Sequence, residues 1–128
     1  MFDDLLLSAS LSMVHNGLII FLMWAVVADI LTGLAKSIIA KRTHKKLSST
    51  KGINGLIKHV IVIFLIISVY PLMTVAHLSE QANMIVIFYA VAYVVSIIEN
   101  IGQMGIPVPA GLKKHFEKLQ DDYNNKED

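Results

Sequence analysis

The stretch GLIIFLMWAVVA, residues 17–28, contains twelve residues without a charged side chain, and Asp29 follows it directly. Mainly apolar residues continue beyond Asp29, so that residues 17–40 form one long apolar segment. About 20 mainly apolar residues, with a rise of about 1.5 Å each, are enough to cross the hydrocarbon core of a bilayer as a helix. The segment 17–40 is therefore long enough to span a membrane.

Two further segments of this kind follow at residues 57–78 and 83–102. The second has no charged side chain after His59, and the third has none before Glu99. None of the three shows the regular polar face of a soluble amphipathic helix. A soluble fold would need three helices that are apolar all round, with almost no chain left to cover them. We therefore predict an all-α membrane protein with three transmembrane helices at 17–40, 57–78 and 83–102.

The composition agrees with this class and argues against others. The chain has 128 residues, which is the length of one domain, 1–128; 55% are hydrophobic and 16% charged, against roughly 45–50% and 25% in an average soluble protein. A net charge of +1 argues against binding nucleic acid through bulk positive charge, so we expect no nucleic-acid partner. The absence of cysteine excludes disulfides and thiolate metal sites.

Lysine and arginine in the short connections predict the orientation. The loop 41–56, with Lys58 just beyond it, is basic and has no acidic residue, whereas the loop 79–83 and the leading segment carry only acidic charges. Basic loops stay on the cytoplasmic side. We therefore predict the N-terminus outside, the C-terminus in the cytoplasm and a basic cytoplasmic loop that touches anionic lipid. The basic residues concerned are Lys41, Arg42, Lys45, Lys46, Lys51 and Lys58.

Two shorter segments have amphipathic patterns. In residues 1–16 the polar side chains share one stripe, which predicts a helix lying at the outer membrane interface or packing against a neighbour. In residues 107–128 the apolar side chains recur every three or four positions, which predicts a cytoplasmic amphipathic helix and tail that is either an interfacial anchor or a helix–helix seam. The polar stripe is Asp4, Ser8, Ser12 and His15, and the apolar one is Leu112, Phe116, Leu119 and Tyr123.

Asp29 lies at the midpoint of the segment 17–40. A carboxylate at a helix centre costs about 2.5–3.5 kcal/mol on insertion scales, and desolvation disfavours its charged form. Asp29 should therefore face other helices or water, or be protonated. Thr32, Gly33 and Lys36 follow at spacings that place them on the same face. Either this face packs against helices and tolerates one acid, or Asp29 is functional.

Depth along the spans suggests a second polar group. Lys36 and Glu99 lie about one turn from the cytoplasmic ends of their spans, and His59 and Asn100 lie near the same level. These four residues are predicted to form a polar layer toward the cytoplasmic side. In that layer Lys36 and Glu99 would form an ion pair within or between subunits. The alternative is that Lys36 extends its long side chain to the interface.

The sequence contains no recognisable catalytic or cofactor-binding motif. The histidines have no ligand spacing of three or four residues, so no metal site is expected. There is no glycine-rich phosphate loop, no GxSxG and no acid–base pair in a soluble pocket. We therefore expect neither an enzyme nor a bound cofactor.

Three blocks of the sequence resemble a phage holin family, also called the toxin secretion/phage lysis holins. They are DILTGLAK at 29–36, LSSTKGINGLIK at 47–58 and SIIENIGQMGIPVP at 96–109. The blocks follow the family's order and cover most of residues 20–120. Where members of the family often carry two further acids, this chain has Tyr93 and the sequence Val69-Tyr70-Pro71.

The resemblance implies a small multi-pass protein of the bacterial cytoplasmic membrane that forms homo-oligomers and permeabilises the bilayer at a set time. It also implies release of a phage endolysin or a toxin during host lysis, without a required direct contact between the two proteins. In such an assembly the contact or lumen residues would come from the polar faces described above. The candidates are Asp29, Thr32, Gly33, Lys36, Glu99 and Asn100.

Two alternatives stay open at this point. A small ion- or solute-coupled transporter or channel subunit would use Asp29 and Glu99 as a proton relay, although the sequence has no fourth span, inverted repeat or paired broken helices. An antiholin-type regulator would bind a partner through its C-terminal seam. Met13 is either an internal start for a shorter regulatory product or a simple apolar filler.

Overall fold

A computed structural model describes the backbone of residues 1–42 and 49–126 and the side chains of residues 1–40 and 52–125. Every regular element in these ranges is an α-helix, which confirms the all-α prediction. The helices are α1 (Phe2–Val14), α2 (Gly17–Arg42), α3 (Ser49–Val75), α4 (Ser79–Gln103) and α5 (Ala110–Lys126).

Three of these helices are long and apolar enough to cross a membrane. Their apolar stretches are Gly17–Ala40, Gly52–Val75 and Ser79–Gln103. The first has the predicted bounds. The second begins earlier than residue 57 and ends before residue 78, and the third begins four residues before residue 83. Residues 79–83, expected to be a loop, are therefore the first five residues of α4.

The connection between α3 and α4 is short because α3 ends in a tight capping motif. The backbone N–H of Leu78 donates to the Met73 carbonyl (2.8 Å) and that of His77 donates to the Thr74 carbonyl (3.2 Å). His77 has a left-handed backbone with φ of 62°. This pattern is a Schellman motif, which satisfies the last helical carbonyls and reverses the chain at once. Only residues 76–78 remain between the two helices.

The same motif ends α4, with glycine in the left-handed position. Ile106 N–H donates to the Ile101 carbonyl (3.3 Å), Gly105 N–H donates to the Gly102 carbonyl (3.0 Å), and Gly105 has φ of 84°. Glycine is the usual residue here because it has no Cβ to clash in this conformation. The reversal returns the chain so that α5 packs against α4.

The helices pack unequally. α2 and α4 share by far the largest interface, whereas α3 packs less extensively on α4 and only slightly on α2. α1 packs mainly on α3. Side chains near the start of α2 meet the end of α3 and the start of α4, so α2 and α4 run parallel and α3 runs antiparallel to them. The bundle is thus a parallel pair with a more loosely attached third helix.

The best-packed part of the core is apolar and lies between α2 and α4. Leu22, Val26 and Val86 are the largest side chains with less than 2% of their surface exposed. Met13, on α1, is buried in the same cluster. Met13 therefore contributes to the packing of α1 against the bundle, as an apolar filler would.

The two capping motifs differ at one position, which allows a matched test. Replacing Gly105 by alanine should lower the free energy of unfolding by about 1 kcal/mol, because a Cβ is strained at positive φ. Apart from the adjacent residues, no described atom lies within 4 Å of where that Cβ would be, so the effect comes from the backbone conformation. His77→Gly should raise the same free energy by a similar amount. Unfolding in detergent micelles followed by circular dichroism measures both changes. Shifts of the same sign in the two variants, or both shifts reversed, would contradict the assignment.

Candidate functional site

Asp29 is buried between α2 and α4, with 7% of its surface exposed. Its Oδ1 accepts hydrogen bonds from Ser96 Oγ (2.6 Å) and from Asn100 Nδ2 (3.0 Å). The Asp29 carboxylate therefore faces the other helices of its own chain and not the surrounding hydrocarbon, which was one of the two environments expected from the sequence.

The third helix reaches Asp29 through His59. Its Nε2 lies 3.5 Å from Asp29 Oδ2, an ion-pair distance if the ring is protonated. The other ring nitrogen, Nδ1, is 2.8 Å from the Tyr93 hydroxyl on α4. His59 thus bridges an acid of α2 and a phenol of α4.

Thr32 and Gly33 complete the contact one turn after Asp29. The Thr32 hydroxyl donates to the Ala28 carbonyl (2.8 Å) and accepts from Asn100 Nδ2 (3.0 Å). A Cβ at Gly33 would lie 3.8 Å from Asn100 Nδ2, an ordinary van der Waals distance. Close approach of α2 and α4 within the chain therefore does not require glycine at this position.

We call the side chains that meet around Asp29 the carboxylate layer. They fall together because of helical spacing: three residues of α4 follow each other at intervals of three and four positions, and so lie on the one face that meets Asp29. No buried side-chain nitrogen or oxygen within the described residues lacks a hydrogen-bond partner. The carboxylate layer consists of Asp29, Thr32, His59, Tyr93, Ser96 and Asn100.

The structure brings together only two of the four residues predicted to form a polar layer. His59 and Asn100 do face a common partner, but that partner is Asp29. Lys36 is partly buried, Glu99 is exposed, and among the described ion pairs none joins them. A Lys36–Glu99 pair between subunits stays a prediction. Depth along a helix places residues at one level, but the helix face decides which of them meet.

Of the basic residues assigned to topology and lipid contact, Lys58 is the one whose side chain the structure describes. Lys58 is exposed on α3, next to His59. The other basic residues assigned to topology and lipid contact lie outside the side chains that the structure describes. They are Lys41, Arg42, Lys45, Lys46 and Lys51.

A second polar group, which we call the amide layer, lies near the start of α2 and consists of Asn16, Tyr70 and Asn83. Asn16 Nδ2 donates to the Tyr70 hydroxyl, which donates to Asn83 Oδ1, both at 2.7 Å. Asn16 Oδ1 also accepts from the backbone N–H of Leu18 (2.8 Å), so the same residue caps α2. The sequence analysis missed this layer, although an asparagine directly before a long apolar helix is a typical N-cap.

An apolar region separates the two layers. Along α2 the layers are 13 residues apart (Asn16 to Asp29), and along α3 they are 11 apart (Tyr70 to His59). These intervals correspond to roughly 16–20 Å of helix. Leu22, Val26 and Val86 fill the gap and are almost fully buried. The polar layers are thus not connected through the interior of the chain.

The carboxylate layer differs from the arrangement of a hydrolytic triad. In a triad the histidine lies between the serine and the acid, so that it takes the proton of the serine hydroxyl. Here both Ser96 Oγ and His59 Nε2 face Asp29. The described residues also contain no cluster of three side chains suited to a metal ion. The arrangement holds a carboxylate inside a helix bundle and offers it charge compensation.

Comparison with known proteins gives one match. A family model described as the bacteriophage holin family matches residues 8–121, which include both polar layers and all three apolar helices. No curated protein and no solved structure matches the chain.

The amide layer should contribute to the stability of the bundle. Tyr70→Phe removes the hydroxyl that joins Asn16 to Asn83, and leaving these groups unpaired should lower the free energy of unfolding by about 1–3 kcal/mol. Tyr89→Phe is the matched control, because the Tyr89 hydroxyl makes no hydrogen bond to any described residue. Unfolding in micelles compares the two; equal effects would show that the hydroxyl network is unimportant.

Proposed function

The chain belongs to the bacteriophage holin family, and we propose that it oligomerises in the bacterial cytoplasmic membrane and permeabilises it during timed host lysis. The hole would release a phage endolysin or a toxin. Neither protein needs to contact the chain directly, since a sufficiently wide hole lets both pass. The observation that carries this proposal is the buried apolar region that separates the two polar layers in a chain with three helices long enough to span a membrane.

Within the described residues, no polar path through the interior of a single copy connects the two layers. The apolar region around Leu22, Val26 and Val86 lies between the two polar layers and is almost fully buried. A protein that conducts through its own interior would instead connect its polar groups across this region. Permeabilisation by this chain therefore requires several copies, or the separation of its helices.

The internal contacts of Asp29 support a stored form in which copies of the chain would accumulate without permeabilising the membrane. From the sequence, Asp29 was a candidate for a contact between copies or for the lumen. However, Asp29 is already met by Ser96, Asn100 and His59, so one chain satisfies it alone. Asp29 and Thr32 would line a lumen only after the helices that cover them have moved. This separates a stored state from a lytic one.

The charges on the outside of the bundle supply the attraction between copies. Glu99 and Lys58 are exposed and Lys36 is partly buried, all near the same end of the bundle. An exposed carboxylate on a membrane helix gains from a basic partner, because both groups lose water there. In the assembly, Glu99 of one copy would pair with Lys36 of the next, and Gly33 would let two α2 helices approach closely.

The topology follows from where the charges lie. The end that carries Lys58 and the basic loop would be cytoplasmic, with the amide layer at the outer side. α1 would lie along the outer interface: its buried residues Ala9 and Met13 face the bundle, and exposed Leu7, Leu11 and Val14 share a separate apolar face that suits lipid.

Inducible expression in a bacterium tests the function. Growth should stop abruptly after a delay, and an impermeant dye should then enter the cells. Asp29→Ala removes the acceptor shared by three side chains and should shift the delay or abolish lysis. Ser68→Ala is the control, since Ser68 is partly buried on α3 outside both layers. Saturable solute flux without killing would contradict the proposal and point to a transporter.

Charge exchange tests the contact between copies. Lys36→Glu and Glu99→Lys alone should each impair lysis, since each places like charges together in the assembly. The double variant should recover most of the activity because it restores an opposite pair. Dye entry in expressing cells measures all three. If the double variant is no better than either single variant, the two residues do not pair.

A further inference from the structure

Of the three apolar helices, α3 has the smallest interfaces with the other two. α3 makes few contacts with α2 and a smaller interface with α4 than α2 does. Its surface at this end is apolar and exposed at Ile57, Val60 and Ile61. Among the described residues, the polar contacts that attach this half of α3 to the other two helices are those of His59 with Tyr93 and Asp29.

The partners of Asp29 leave its charge to be balanced by His59. Ser96 and Asn100 donate hydrogen bonds but carry no charge. Lys36 is two helical turns further along α2, about 10 Å away along the axis. Only a protonated His59, at 3.5 Å, brings a positive charge to the carboxylate within the described contacts. With a neutral ring, an uncompensated charge remains at mid-membrane.

Tyr93 suits both states of the ring. A neutral His59 with a proton on Nε2 accepts a hydrogen bond at Nδ1, and the Tyr93 hydroxyl donates it. A protonated ring donates from Nδ1, and the same hydroxyl accepts. The other charged or ionisable groups around this point are Lys58, which is next to His59 but exposed, and Tyr89, one turn from Tyr93 on α4. Histidine is the side-chain type that ordinarily changes charge near neutral pH.

We propose that Asp29 and His59 form a proton-binding lock that holds α3 against the α2–α4 pair. With the proton bound, the two charges cancel and the helices stay together. When the proton leaves, the Asp29 carboxylate loses its counter-charge, and separation of α3 lets water reach it. Raising the pH on the side where His59 is accessible therefore opens the bundle, and lowering it closes the bundle.

If the chain is a holin, as proposed above, this lock is the step between the stored and the lytic state. The lock itself concerns the positions of helices in one chain. It is therefore tested on purified protein in lipid vesicles, where failure of the lock and failure of the lytic function are separate results.

Spin labels report the separation directly. The chain has no cysteine, so cysteines introduced at Leu34 on α2 and Leu56 on α3 take up the labels alone; both positions are exposed and lie outside the polar layers. Labelled chains are diluted with unlabelled ones so that only distances within a chain are read. The mean distance should be short at about pH 5.5 and longer at about pH 8.5, on either side of the ordinary histidine range.

Four variants separate an electrostatic lock from a merely structural role. His59→Gln, which cannot take up a proton, should give the long distance at both pH values. His59→Lys keeps a positive charge at both pH values and should therefore give the short distance at both. Asp29→Asn needs no counter-charge and should stay closed at both values. The double variant Asp29→Asn with His59→Gln should also be closed, because removing the carboxylate removes the need for the imidazole.

The control is His115→Gln, a histidine exposed on α5, which should leave the response of the parent chain unchanged. The proposal is overturned if the parent distance does not lengthen with pH, or if the double variant is as open as His59→Gln. Should His59→Gln fail to insert, His59→Lys decides alone: a retained pH response in that variant would show that the proton does not act at His59.

Discussion

A carboxylate at the middle of a membrane helix has to be surrounded by donors, and this requirement determines how the chain packs. The bilayer core contains no water that could hydrogen-bond Asp29, so the neighbouring helices must place polar groups at its level. α4 brings Ser96 and Asn100, and the largest interface of the bundle forms on that face. The parallel pairing and the register of α2 and α4 are therefore coupled to a single side chain.

The amide layer fixes the same register a second time. Asn16, at the start of α2, is joined through Tyr70 to Asn83, near the start of α4. From Asn16 to Asp29 is 13 residues, and from Asn83 to Ser96 is also 13. Equal intervals on two parallel helices keep both layers in contact without bending either helix. On the antiparallel α3 the interval is 11, and α3 is also the helix with the smaller interfaces in the trio.

The sequence predicted what depends on hydropathy along the chain and missed what depends on rotation about a helix axis. The three apolar helices follow from long runs without charge, and the inward orientation of Asp29 follows from the cost of exposing it. The partners of Asp29 do not follow, since Lys36 and Glu99 share a depth but not a face. Ser96 and Tyr93 carried a usable signal, because their spacing from Asn100 puts all three on one side of α4.

The error at residues 79–83 has a local cause. The loop was predicted at 79–83 from the ends of the apolar segments, and the sequence has no glycine or proline there that would mark a turn. In the structure His77 takes the left-handed position that Gly105 takes at the end of α4, and the chain reverses within three residues. A histidine with a left-handed backbone is uncommon, so the residue types in this segment did not predict so tight a turn.

The internal satisfaction of Asp29 changes where an assembly would find its driving force. A buried acid that has found donors within one chain gains nothing from a second copy, so association has to come from groups left outside, such as Glu99 and Lys58. Opening of the bundle would reverse this balance, because the donors in the carboxylate layer would then face water or another chain. Under the proposed function, single copies would remain closed and would associate strongly only after their helices separate, which is the order of events that a timed hole requires.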